Sequence, residues 1–93
     1  MSTEASPNQY RIDPHARFRV MDDEGIFVLQ KAGEVLVVNQ IGAFMVQQLE
    51  VARSLPELVD AITTRYDVDA ERARADASSL LAELLEAGAI CRA

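Results

Sequence analysis

Glu34-Val35-Leu36-Val37-Val38-Asn39-Gln40-Ile41-Gly42 is where the chain changes its period. The apolar run Val35 to Val38 fits a strand, because β-branched residues pack well on a pleated surface and successive side chains point to opposite faces. Val35 and Val37 then point one way, Leu36 and Val38 the other, so both faces are apolar. One face can cover a core; the other needs a neighbouring element, a partner subunit or a bound peptide. Asn39 follows as an N-cap, whose side-chain oxygen can accept an unpaired amide hydrogen at the start of a helix running to about Glu50. Ile41, Phe44, Met45 and Leu49 share the buried face of that helix.

Upstream, Phe18 and Val20 alternate with Arg17 and Arg19, which predicts a strand over His15 to Val20. Asp22 to Gly25 is turn-like, Ile26 to Leu29 is a β-prone run, and Lys31 to Glu34 is a second turn. The simplest reading is an antiparallel meander of three short strands. Residues 1–9 are polar, include Pro7 and lack periodicity, so they read as a flexible tail, with one domain over 10–93. Downstream, Ser54 and Glu57 match a capping box with Pro56 in the first turn, and Leu55, Leu58, Val59 and Ile62 mark a second helix ending near Tyr66. Asp69 can cap a third helix that Gly88 stops, with Ala73, Ala77, Leu80, Leu81 and Leu84 as its core stripe. Arg72, Asp76, Ser79, Glu83 and Glu86 run along one flank of that stripe, either as a solvated face or as one wall of a groove.

Composition narrows the function. A hydrophobic fraction of 49% argues for a globular domain, and 93 residues suffice for one modest core. A net charge of -6 disfavours nucleic acid, whose affinity depends on neutralising phosphates, and makes basic peptides the natural partners. No stretch is long and apolar enough for a bilayer, and none combines a basic segment with an export-type apolar run, so no membrane role and a cytoplasmic location are expected.

Catalytic candidates are sparse. His15 is the sole histidine, which leaves no paired histidine metal site and no spare partners for a Ser/His/Asp arrangement. Cys91 has no CxxC partner and no evident activating base, and it cannot form an internal disulfide. Glycines at 25, 33, 42 and 88 lack phosphate-loop spacing. Asp22, Asp23 and Glu24 lack the ligand spacing of a calcium loop. No catalytic residue, metal or cofactor is expected.

Gly33, the apolar run, Asn39 and Gly42 resemble the segment around the characteristic Leu-Asn pair of the PqqD-like family, the RiPP recognition elements, with Val38 in place of the usual Leu. Leu58, Val59, Ile62, Tyr66, Val68, Asp76, Leu80, Leu81, Leu84, Gly88 and Ile90 resemble the family's later pattern, which ends in its last helix and a Gly followed by an apolar residue. Val51-Ala52-Arg53 stands where many members have a glycine-containing turn. The resemblance implies an α+β, winged helix-turn-helix-like fold, with three N-terminal antiparallel strands followed by three helices. It also implies a non-catalytic protein that binds the leader of a ribosomally made precursor as an added strand between the third strand and the third helix. Carried onto this chain, the peptide-facing set is drawn from Val35, Leu36, Val37, Val38, Asp76, Ser79, Leu80 and Glu83. The implied partner is a maturation enzyme: a radical SAM protein, as in pyrroloquinoline quinone biosynthesis, or a leader peptidase or cyclase.

Other readings stay open at this level. A winged-helix regulator would use the third helix in the major groove, though Arg72 and Arg74 share it with Glu71, Asp76, Glu83 and Glu86. A homodimerising adaptor would pair the exposed strand with its own copy. Asp76 could line a groove or simply pair with Arg72 one turn away. Alternation leaves Val37 either in the groove or in the core.

Overall fold

The switch at Asn39 separates a sheet from a helical layer. The structure, a computed structural model, describes residues 8–30 and 33–93. Its elements are β1 (Gln9–Ile12), β2 (Ala16–Met21), β3 (Glu24–Leu29), β4 (Glu34–Val38), α1 (Gln40–Gln47), β5 (Arg53–Ser54), α2 (Leu55–Arg65), α3 (Ala70–Ala87) and β6 (Ile90–Arg92). A single 3-10 turn, Gln48–Glu50, carries the chain on from α1, so the expected helix to Glu50 tightens at its end.

The meander is present as an antiparallel sheet in the order β2-β3-β4. Phe18, Phe27 and Leu36 stand opposite one another across it, and the rings of Phe18 and Phe27 pack with centroids 4.8 Å apart. Alternation turns Phe27, Leu29 and Val38 into the core, while Val35 and Val37 face outward. Gly25 sits beneath Phe18 and Val38, where an added Cβ would lie 2.6 Å from the Phe18 ring and 2.8 Å from a Val38 methyl. The first hairpin turns on Asp22 and Asp23 alone, with Met21 paired to Glu24. Asp22 has φ 56, a left-handed conformation that aspartate tolerates better than most residues.

Each helix begins where its cap was expected. Asn39 Oδ1 accepts from the Gly42 amide at 2.9 Å. Ser54 and Glu57 form the full capping box: the Ser54 amide donates to Glu57 Oε1 at 2.8 Å, and the Glu57 amide donates to Ser54 Oγ at 3.3 Å. The first of these bonds holds the Glu57 carboxyl below its ordinary pKa. Asp69 Oδ2 accepts from the amides of Glu71 and Arg72. Gly88, at φ 82, ends α3 in a left-handed cap, and Ala89 N donates to Leu84 O at 2.9 Å.

Sequence periodicity predicts only the meander's strands, whereas the structure adds a second antiparallel sheet, β5-β1-β6. Gln9 pairs with Ser54, while Tyr10 and Ile12 pair with Arg92 and Ile90. Gln9, the last residue of the expected tail, therefore opens a strand; residues 1–7 and the Lys31-Ala32 part of the expected turn lie outside the described residues. The core lies between the meander and the helices, with Phe27, Met45, Leu49, Leu58, Leu84 and Ile90 almost wholly enclosed. Ile41, Phe44, Leu55, Val59 and Leu80 pack on its margin as half-buried residues.

Candidate functional site

β4 is an edge strand: β3 pairs with one side of it, and its other side borders α1 and α3. Alternate residues of an edge strand turn unpaired N–H and C=O groups outward, which makes it a template for one more strand. Two depressions run along this edge. The larger, about 860 Å³, lies between β4, the start of α1 and the first half of α3. The smaller, about 440 Å³, lies between β4 and the second half of α3. Val37, Val38 and Leu80 line both, so the two form one trough along the C-terminal part of the strand.

The expected site residues divide accordingly. Asp76 joins the larger depression, and Leu36 and Glu83 join the smaller. Val35 and Ser79 are exposed and line neither. Val37 is 58% exposed and Val38 8%, which takes Val37 out of the core and leaves Val38 as the inward residue. Leu80, expected on the core stripe, is only half-buried because it forms the trough wall.

Sequence reasoning did not place Gly42, Asp67 or Val68 here. Gly42 carried a signal, since a glycine inside a helix is unfavourable unless something needs the space. An added Cβ would come within 3.1 Å of Val38 Cβ and 3.2 Å of Leu80 Cδ2, so this glycine lets α1 approach the junction of β4 and α3. Asp67 and Val68 lie in the α2–α3 connection and had no local signal.

The trough has an apolar floor and an acidic rim. Val38, Met45, Ile62, Ala73 and Ala77 contribute to the floor of the larger part. Asp67, Asp69 and Asp76 line that part with Arg72, and Glu83 and Glu86 line the smaller one, so five carboxylates face one guanidinium. Arg72 Nε lies 3.8 Å from Asp76 Oδ2, and both side chains are more than three-quarters exposed. A pair so solvated contributes only about 0.3–0.5 kcal/mol and remains free to exchange for a ligand's charges. Asp76 thus borders the depression and pairs with Arg72 at the same time.

Among the described residues no group of His, Cys, Asp and Glu side chains is placed to hold a metal ion. His15 is exposed beside Asp13, with Nδ1 3.3 Å from Oδ1, and Cys91 sits half-buried on β6 opposite Arg11; neither borders the trough. No helix among the described residues is long and apolar enough to cross a membrane.

A family profile described as Coenzyme PQQ synthesis protein D (PqqD) matches residues 18–90. The chain belongs to the PqqD family. The matched span of this PqqD-family protein takes in the meander from Phe18 onward, the trough and all of α3, and leaves out β1. A solved structure, TbiB1 in complex with the TbiA(beta) leader peptide, is similar with a TM-score of 0.78 and 24% identity, over 86% of this chain and 93% of that one. At this identity the likeness establishes the shared fold. No curated protein matches the sequence significantly.

Proposed function

We propose that this PqqD-family protein is a non-catalytic peptide-binding protein, which takes up the leader of a ribosomally synthesised precursor as a strand added to β4 and presents it to a modifying enzyme. The observation that carries this reading is the open edge of β4, apolar on both faces and bordered from Leu36 to Val38 by a trough. Strand addition combines main-chain hydrogen bonds, which give affinity, with pockets for alternate side chains, which give selectivity. That TbiB1, of the same fold, is held with a leader peptide supports the same use here. Leu36, Val37, Val38 and Leu80 would form the contact surface, Val35 would reach the added strand as a cross-strand neighbour, and Asp76 and Glu83 would meet it from α3, with Ser79 beside them at the margin. The acidic rim favours a leader with apolar residues at alternate positions and Lys or Arg turned toward α3. The partner enzyme would be a radical SAM protein, a leader peptidase or a cyclase.

Amide chemical-shift mapping with the cognate leader tests the proposal. The expected perturbations fall on residues 34–38 and on the β4-facing side of α3. Changes confined to α2 or to the β5-β1-β6 sheet would reject it. The regulator alternative is opposed by the net charge of -6 and the acidic flank of α3, so a DNA titration should show only weak association that disappears with added salt.

A further inference from the structure

The trough takes in only Val37 from the outward face of the meander and leaves the rest of that face unexplained. Across that face the register sets two parallel rows, Arg19-Ile26-Val37 and Arg17-Val28-Val35, each running from an arginine on β2 to a valine on the open strand. Val28 and Val35 are 43% and 60% exposed and line neither depression, and Val37, 58% exposed, joins this face to the trough. Solitary exposed apolar residues are ordinary, but these are contiguous and sit on a rigid, register-locked surface. Neither Arg17 nor Arg19 forms an ion pair among the described residues, although the chain carries fifteen carboxylates and Glu24 lies near on the same face.

We infer that this face is a docking surface for a second folded protein, one that offers an apolar patch bordered by carboxylates. Charge complementarity selects that occupant. A second copy laid face to face would bring two more arginines into the same small contact, and like charges brought together there are costly. The face continues into the strand edge that the trough borders. A peptide added to β4 would therefore widen it by one column of side chains, so that the docking protein reads the loaded sheet. Identifying that protein as the enzyme receiving the peptide rests on the peptide-binding reading; the arginine rows and exposed valines do not.

The test uses the full chain, the cognate leader and the purified enzyme that modifies its precursor. The variants are Arg17→Glu with Arg19→Glu, and separately Val28→Gln, each checked for an unchanged melting temperature. Enzyme affinity is read by biolayer interferometry and leader affinity by fluorescence anisotropy. The expected result is at least about a ten-fold loss of enzyme affinity in both variants, with leader affinity held within about two-fold. Enzyme affinity unchanged in the variants, or no enzyme binding by the parent protein, overturns the inference. So does a parallel loss of leader affinity, which would make the face part of the peptide site. Dimerisation of the parent protein abolished by Arg17→Glu with Arg19→Glu, or binding to phosphatidylglycerol vesicles abolished by it, would assign the face to a second copy or to a lipid surface and overturn it too. If the leader fails to bind while the arginine variant still loses the enzyme, the peptide reading fails and the docking surface stands.

Discussion

The two sheets of this small protein are built in opposite ways. β2, β3 and β4 follow one another along the chain, joined by hairpins, and leave a five-residue edge strand with four apolar residues open beside α3. β5, β1 and β6 come from three distant parts of the chain, and their outer strands are only two and three residues long. Short outer strands present little template to another chain. The second sheet thus ties the N-terminal strand to the end of α3 and the start of α2, whereas the first keeps a usable edge. One is a clasp, and the other is the receiving surface of the proposed function.

The largest effect that would break this contrast lies in the clasp. Ile90, on β6, is 2% exposed, and Ile90→Ala should destabilise the domain by about 2–5 kcal/mol, measured by urea unfolding. A loss below about 0.5 kcal/mol would show that the second sheet closes nothing. On the receiving surface, Val37→Lys should do the reverse. Stability should change by no more than about 0.5 kcal/mol, because the side chain is exposed. Leader affinity should fall about ten-fold, or roughly 1.4 kcal/mol. Melting temperature and anisotropy on the same variant check both halves, and a large drop in melting temperature would mean that β4 faces the core with its other side.

The two remaining predictions sharpen the contrast where the clasp meets a helix. Ser54 is at once a β5 residue paired with Gln9 and the N-cap of α2. Ser54→Ala should cost about 1 kcal/mol in denaturant unfolding and leave leader binding unchanged. The smallest effect is one of pH. Because the Ser54 amide holds the Glu57 carboxyl below its ordinary value of 4.5, the stability this carboxylate adds is complete above that value and is lost as pH falls through its lowered folded-state pKa. Glu57→Gln should flatten the acid limb of the stability curve. An unaltered limb would place the acid sensitivity elsewhere.

Most of the trough was legible because its walls are made of contiguous segments. The apolar run at β4 showed two apolar faces, and the helical spacing of Arg72, Asp76, Glu83 and Glu86 showed a flank. Ser79 shares that spacing yet stays outside, since position along a helix does not say how far a neighbouring strand reaches. Val68 and Asp67 enter only because the α2–α3 connection folds back against α3, a placement with no period to announce it.

By itself the sequence determined the caps at Asn39, Ser54 and Asp69, the stop at Gly88 and the alternation of the meander, because those depend on contacts within a few residues or on neighbouring hairpin strands. Gln9 to Ile12 alternates polar and apolar residues, but four residues are too few to distinguish a strand from a tail. Only the tertiary structure decided that this segment pairs with residues 53–54 and 90–92, and that Val38 faces inward while Val37 stays outside. The physical reason is the same in both cases. Alternation supplies two faces and short segments supply donors and acceptors, but the choice of face and partner is made by what the folded helices bring within reach.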